Sequence, residues 1–252
     1  MLLIRLMTVV GLAGLAIAAE PVKQVTEFVQ VSQRLAAGKA REVTVELAMS
    51  AGELEVRTGA EGLFELDCYA PDSSHAPALE YSEVLRAVEG DSSPVPEGEV
   101  QVYQPEIEET DAWQHRWNVR LDRERCRELD VVMGTGSVRL ALAGSAVEEL
   151  YVEVSVGELA LDLVGDGTES AEGVFEADCE VGVGDIYIFV PAEAGVRVEA
   201  ETEIGRVLVP DEFVETEEGW ESPGWETSGR RIELVLSVAV GDVVVAAETV
   251  EE

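Results

Sequence analysis

The 252-residue sequence is poor in the side chains that most metal centres and hydrolytic sites use, with only two histidines and three cysteines. This scarcity argues against zinc sites and catalytic triads. Basic residues are also scarce, since 17 lysines and arginines stand against 52 acidic residues and give a formal net charge of −35. Phosphate groups require a basic surface, so nucleic acid and anionic membrane surfaces are excluded as partners.

Hydrophobic residues, by contrast, are plentiful at 46% of the chain. A disordered acidic chain lacks the material for a core, and this chain has it. The length suits one large all-β domain or two small ones. The sequence therefore predicts a folded and very acidic protein.

The N-terminus has the pattern of a secretory signal peptide over residues 1–19. Arg5 precedes an apolar run from Leu6 to Ala18, and the small residues Ala16, Ala18 and Ala19 offer a cleavage site after Ala18 or Ala19. An uncleaved membrane anchor is the alternative, because the run approaches the length that spans a bilayer. No second run of that length occurs, so we expect export to the periplasm or cell surface without stable membrane insertion after cleavage.

Export would place Cys68, Cys126 and Cys179 in an oxidising compartment, where at most one pair can form. Their spacing matches no metal-binding pattern. We therefore expect each cysteine to be a small buried hydrophobe.

A repeat with a central glycine runs through the chain. Side chains at positions −5, −3 and −1 before the glycine are mostly apolar, and so are those at +2 and +4 after it. This is the period of a β-strand, and it slips by one residue at the glycine. A bend there would point both arms of each segment at one core. The segments are Leu47 to Val56, Val131 to Leu140, Val152 to Leu161, Cys179 to Ile188, Ala200 to Val209 and Leu236 to Val245.

The spacing of the repeats favours a parallel β-solenoid from about residue 41 to 248. Gly136, Gly157, Gly184 and Gly205 are separated by 21, 27 and 21 residues, which suits one turn of a coil. An antiparallel β-sandwich, the alternative, would show hairpin turns such as Asn-Gly, and the sequence has one asparagine. The predicted organisation is a lead-in strand or linker over 20–40, an irregular N-terminal part over 41–130, regular coils over 131–248 and a tail over 249–252.

Several of these segments resemble the toast-rack family of bacterial cell-envelope domains, which is related to the C-terminal part of LiaF-like proteins and to adhesin-type β-solenoids. The resemblance rests on three segments, which are Arg41 to Leu47 with Ser50 to Leu54, the corner Met133 to Ser137, and Val181 to Ile186 continuing to Pro191. The resemblance implies an envelope β-solenoid without catalytic activity. LiaF-like proteins are membrane-bound inhibitors of a sensor kinase, but this chain lacks their helix bundle, so that role does not carry over.

Stacking of the segments would align carboxylates on an outer face. Glu153, Glu180 and Glu201 share position −4, and Asp178 and Glu199 share position −6. One interpretation is a solvated acidic face whose repulsion is screened by salt. The other is a surface that attracts divalent cations or a basic partner. No calcium-binding loop is present, so we expect no metal site and no cofactor.

A second row of outward side chains, at position +3 of the stacked segments, becomes apolar towards the C-terminus, where it includes Tyr187 and Leu208. Exposed apolar surface indicates a partner or a cover. The loop containing Trp220 and Trp225 could be an intramolecular lid, or the face could form a homo-oligomer. These tryptophans could also stack on sugar rings.

Neither histidine indicates an active site. His75 lies in a loop of prolines and serines, and His115 lies between two tryptophans. No carboxylate pair can be singled out as an acid and a base. We therefore expect a non-catalytic structural or adhesin-like interaction module that binds an envelope protein or a cell-wall component. A carbohydrate-binding or carbohydrate-active solenoid is the alternative.

Overall fold

The computed structural model describes residues 29–71, 75–86, 95–105, 115–164 and 173–249. The signal-peptide expectation lies outside these ranges. The described residues form fifteen strands and no α-helix, so none of them is a helix able to cross a bilayer. The strands are β1 (Val29–Leu35), β2 (Glu42–Thr58), β3 (Phe64–Ala70), β4 (Ala78–Arg86), β5 (Val95–Tyr103), β6 (Arg116–Leu121), β7 (Cys126–Ala141), β8 (Glu149–Asp162), β9 (Gly173–Pro191), β10 (Gly195–Ile204), β11 (Val207–Leu208), β12 (Val214–Thr216), β13 (Gly219–Glu221), β14 (Arg230–Val240) and β15 (Val243–Glu248).

The long strands β2, β7, β8 and β9 are each one rung of a parallel stack, with a glycine at the middle. Gly52, Gly136, Gly157 and Gly184 lie opposite one another in register. Two further rungs are β14 with β15 around Gly241, and β10 with β11 around Gly205. We call these the corner glycines, the half of each rung before the glycine arm 1, and the half after it arm 2. The parallel β-solenoid predicted from the repeat spacing is confirmed.

The bend at each corner requires glycine for two reasons. The six corner glycines have φ between +137° and +157°, a region that side chains disfavour. In addition, a Cβ on Gly136, Gly157, Gly184, Gly205 or Gly241 would lie only 1.6–1.8 Å from the carbonyl oxygen of the corner glycine on the neighbouring rung. The predicted bend is therefore confirmed, and it brings the rungs closer at the corner than any side chain permits.

Both arms point their apolar side chains into one core, as the pattern predicts. On β8, for example, Val152, Val154, Leu159 and Leu161 are fully buried. Position −1 is the exception, because the bend begins before the glycine and turns this side chain outward. The expectation of a buried residue there is wrong on four rungs, where it is 41–66% exposed: Val156, Val183, Val240 and Ile204.

The order of the rungs in space differs from their order in the sequence. Strand β14 pairs in parallel with β9 on one side and with β10 on the other. On arm 2, β15 likewise lies between β9 and β11. The rung β10–β11 therefore ends the stack, and the antiparallel hairpin of β12 and β13 adds to β10.

The N-terminal part closes the other end of the stack. Strand β2 is a regular rung, and it pairs in parallel with β5 on arm 1 and with β6 on arm 2. Antiparallel β4 then extends β5, whereas antiparallel β3 and β1 extend β6. The irregular pattern in the sequence thus corresponds to a change from parallel to antiparallel pairing.

The three cysteines lie unpaired in the core, as expected. Burial raises the pKa of Cys68 from an ordinary value of 9.0 to about 11, and the pKa values of Cys126 and Cys179 to about 12. The protonated thiols are therefore favoured by folding.

We predict that replacing Gly157 with alanine destabilises the fold by more than about 3 kcal/mol, since the new Cβ meets backbone and strains φ. Gly59→Ala is the matched control, because Gly59 has φ of +103° but no neighbouring atom within 4 Å of the place that a Cβ would take. Urea unfolding should show a clearly smaller loss in the free energy of unfolding for the control. Equal losses would mean that the close approach between rungs is unimportant.

The thiols should make the fold sensitive to alkali. Because folding raises their pKa, their contribution to stability is complete below about pH 9 and is lost as pH rises towards 11 and 12. The free energy of unfolding, measured in urea between pH 8 and 10.5, should fall less steeply in the triple variant Cys68→Ala, Cys126→Ala, Cys179→Ala. An unchanged slope in that variant would contradict the prediction.

Candidate functional site

The outer side of arm 1 carries many charged side chains. Its positions −8, −6 and −4 on β7, β8, β9, β14 and β10 lie opposite one another from strand to strand. We call these positions the acidic face. Its carboxylates are Glu128, Asp130, Glu149, Glu153, Glu176, Asp178, Glu180, Glu233, Glu199 and Glu201, and its one basic residue is Arg197.

The five predicted carboxylates all lie on this face, but the rung order divides them. Glu153 is directly opposite Glu180, with Asp178 two residues before Glu180 on the same strand. Strand β14 then intervenes, and it places uncharged side chains between this group and the pair Glu199 and Glu201. The sequence therefore predicted the right face and the wrong neighbours.

The carboxylates of the face add to burial in raising the pKa values of two residues. The pKa of Asp130 is raised by burial and then by the carboxylates of Glu128, Glu46 and Glu149. The pKa of Tyr151 is likewise raised by burial, and then by neighbouring carboxylates. The face thus carries uncompensated negative charge that a cationic partner would relieve.

The structure brings no three acidic, histidine or cysteine side chains into an arrangement that could hold a metal ion, within the ranges it describes. The row of glutamates at position −8 runs along a sheet, so its members lie side by side at the spacing of neighbouring strands, about 4.8 Å. This arrangement suits an extended partner with several positive charges better than one ion.

The basic end of the face is closed by an ion pair and a cation–π contact. Arg197 donates to Glu221 of β13, with 2.9 Å between Nη2 and Oε1. Its guanidinium also lies 4.4 Å from the ring centre of Trp225, and that of Arg231 lies 5.4 Å from it. Trp225 is only 6% exposed, so its ring is engaged by arginines rather than offered to solvent.

The loop with the two tryptophans covers a sheet edge and not the outward apolar ladder. Trp220 of β13 lies opposite Val198 of β10 and is half-buried against the end of the core. Leu208 remains 43% exposed and Val235 46% exposed. Tyr187 is half-buried, and its hydroxyl donates to Oδ2 of Asp185 at 3.3 Å.

Two features were missed by sequence reasoning. The exposed ladder at position −1 was visible as a row of apolar residues, but the period of the strand placed it inside. The other feature is the contact of His75 with His115, whose rings meet edge to face with centres 5.9 Å apart. No sequence signal joins these two histidines, and His115 is buried away from the acidic face.

Comparisons with known proteins give one family match and several structural likenesses. The model described as the N-terminal domain of toast_rack, DUF2154, matches residues 20–189. A candidate cell adhesion protein from Clostridium sporogenes ATCC 15579 superposes with a TM-score of 0.75 at 20% identity, over 88% of this chain and 100% of that chain. This likeness shows the fold. No curated protein matches the chain.

Two other solved structures are more distant. A candidate adhesin from Bacteroides fragilis NCTC 9343 has a TM-score of 0.29 at 8% identity, over 88% of this chain and 98% of that chain. A candidate lipid binding protein from Parabacteroides distasonis ATCC 8503 has a TM-score of 0.22 at 9% identity, over 88% and 97%. These two likenesses are too distant to bear on the fold or the function of this chain.

We predict that Asp130→Asn stabilises the fold at pH 7 by about 0.2–1 kcal/mol, the range for cross-strand charge pairs. Because folding raises the pKa of Asp130, its carboxylate opposes folding at neutral pH and is protonated at low pH. The gain, measured by urea unfolding, should therefore disappear near pH 3. Asp178→Asn is the control, since Asp178 lies opposite uncharged Tyr151 and Val235. Equal gains from both variants would indicate an effect of net charge alone.

Proposed function

Because this chain belongs to the toast-rack family, as its match over residues 20–189 shows, we propose that it is an exported, non-catalytic interaction module of the bacterial cell envelope. Its role is adhesin-like, and its binding surface is the acidic face. The partner is an envelope protein or cell-wall component that presents several positive charges in a row.

The observation that carries this proposal is the composition of the acidic face. Ten carboxylates stand there against Arg197, and Arg197 is already paired with Glu221. Charge of one sign in fixed register steers a partner of opposite sign and sets its orientation more than it adds affinity. Binding of such a partner would relieve the repulsion within the fold more directly than screening by salt does.

The shape of the surface supports binding rather than catalysis. General acid–base work needs two groups that face each other across a substrate. On the acidic face the carboxylates project side by side from one sheet, and the depression around Asp130, Tyr151 and Asp178 encloses about 350 Å³. A broad, repetitive surface of this kind suits a macromolecular partner.

Two further points support an envelope location. The N-terminal pattern of Arg5 followed by the apolar run of residues 6–18 is that of a secretory signal. The chain with a similar fold from Clostridium sporogenes is named for cell adhesion. The adhesin-like role is carried to this chain as an analogy.

The proposal is tested by the binding of isolated cell envelopes to the purified full chain. The triple variant Glu149→Gln, Glu176→Gln, Glu233→Gln, all on the acidic face, should weaken binding about tenfold, because charge complementarity is lost. The matched control Glu212→Gln, Glu215→Gln, Glu217→Gln makes the same change in net charge on and before the hairpin of β12 and β13. It should leave binding nearly unchanged.

Three outcomes would contradict the proposal. Equal losses in the two triple variants would mean that envelopes respond to bulk charge. Retention of the chain in the cytoplasm on cell fractionation would remove the envelope role. Competition by soluble wall oligosaccharides, without any effect of the acidic-face variant, would favour the carbohydrate-binding alternative.

A further inference from the structure

The last rung of the stack has a sheet edge that is only partly covered. Strand β13 pairs with β10 at Arg197 and Val198 and no further. From Glu199 to Ile204, the pairings of β10 are with β14 on one side alone. Strand β11 pairs only with β15. The whole edge lies within the described stretch 173–249, and no other described strand pairs with β10 or β11.

Backbone groups at this edge point outward in a regular way. The carbonyl oxygen of Val196 accepts from the N–H of Ser222, next to β13, at 2.8 Å. Because backbone groups alternate along a strand, those of Val198, Ala200 and Thr202 face the same side. Val198 is covered by β13, whereas Ala200 and Thr202 are beyond its reach. They offer the hydrogen-bonding template that an added strand uses.

The side chains of this edge alternate in character. Glu199, Glu201 and Glu203 are exposed, whereas Ala200 and Thr202 are half-buried at the end of the core. Further along, Ile204 is 66% exposed and Leu208 43% exposed around the corner at Gly205. The edge therefore presents acids on one face and apolar or small side chains on the other.

This alternation selects the occupant. A second copy of the chain would place glutamates opposite glutamates, and like charges in cross-strand pairs are destabilising. It would also join two molecules of formal charge −35 each. A strand with basic residues in alternate positions would instead pair its charges with the glutamates, and it would lay its apolar residues over Ala200 and Thr202.

We propose that the free edge of β10 binds an extended basic segment, with alternating basic and apolar residues, as an added parallel or antiparallel strand. This inference rests on the proposed function and names the kind of partner segment that the module takes. The open part, Glu199–Ile204, spans about 20 Å at the rise of a strand. The bound core of the partner is therefore about six residues long.

The test uses the full chain and a fluorescent decapeptide of alternating lysine and valine. A peptide of the same composition, with five lysines followed by five valines, is the control for charge alone. Fluorescence anisotropy should show tighter binding of the alternating peptide by about fivefold or more, since only it can satisfy both faces of the edge. Amide exchange should slow at Ala200 and Thr202 when it binds.

Variants separate the edge from the acidic face. Glu201→Lys and Glu180→Lys occupy the same position on their rungs and make the same charge change, but Glu180 lies on an interior strand. Glu201→Lys should weaken binding of the alternating peptide about tenfold and Glu180→Lys less than about twofold. Ala200→Pro removes an outward N–H without breaking the ladder with β14, so it should abolish binding while thermal unfolding stays close to that of the parent.

Several results would overturn the inference. Equal losses in Glu201→Lys and Glu180→Lys would place the peptide on the acidic face, which would leave the proposed function intact and remove the edge. Equal binding of the two peptides, or unchanged exchange at Ala200 and Thr202, would also remove it. Protection of these amides in a dimer seen by sedimentation, without peptide, would assign the edge to a second copy.

Discussion

The close approach of neighbouring corner glycines is the constraint on which the rest of the structure depends. On five of the six corner glycines, a Cβ would lie only 1.6–1.8 Å from the carbonyl oxygen of the neighbouring corner glycine. A shift of one residue between rungs would put a side chain into that space, so the glycines fix the register of the whole stack. The fixed register then aligns every other position, whether it points into the core or out to solvent.

Because the alignment also stacks the buried side chains, the fold can accommodate repulsion between the carboxylates on its outer face. Each interior rung buries at least four aliphatic side chains, and each of these contributes about 1.5–3 kcal/mol when fully buried. Like charges on adjacent strands oppose this by about 0.2–1 kcal/mol per pair. Burial therefore exceeds repulsion on the interior rungs, and the outer face can carry its excess of carboxylates. The pKa of Asp130 is raised by burial first, and the neighbouring carboxylates raise it further.

The features that depend on the local pattern of residues could be predicted from the sequence. The choice of neighbouring strand could not, because several rungs offer equivalent partners. The slip in period at Gly157 and Gly184 correctly predicted the bend and the shared core. It misplaced Val156 and Val183, because the bend begins one residue earlier than the slip suggests. The insertion of β14 between β9 and β10 could not be predicted, since all rungs present the same pattern to a neighbour. The pairing of Glu201 with Ser237 in place of Glu180 follows from that one exchange.

The exchanged order of the last two rungs has a mechanical consequence. In a stack built in chain order, the final segment would be the outermost and could be peeled away one hydrogen bond at a time. Here β14 has a neighbour on both sides, whereas β15 pairs with β9 along its length and with β11 only at Val243 and Val244. A pull from the C-terminal side would therefore separate Val245–Glu248 from β9 first, and would then meet ladders on both sides. The topology thus places β14 and the start of β15 inside the stack rather than at its rim.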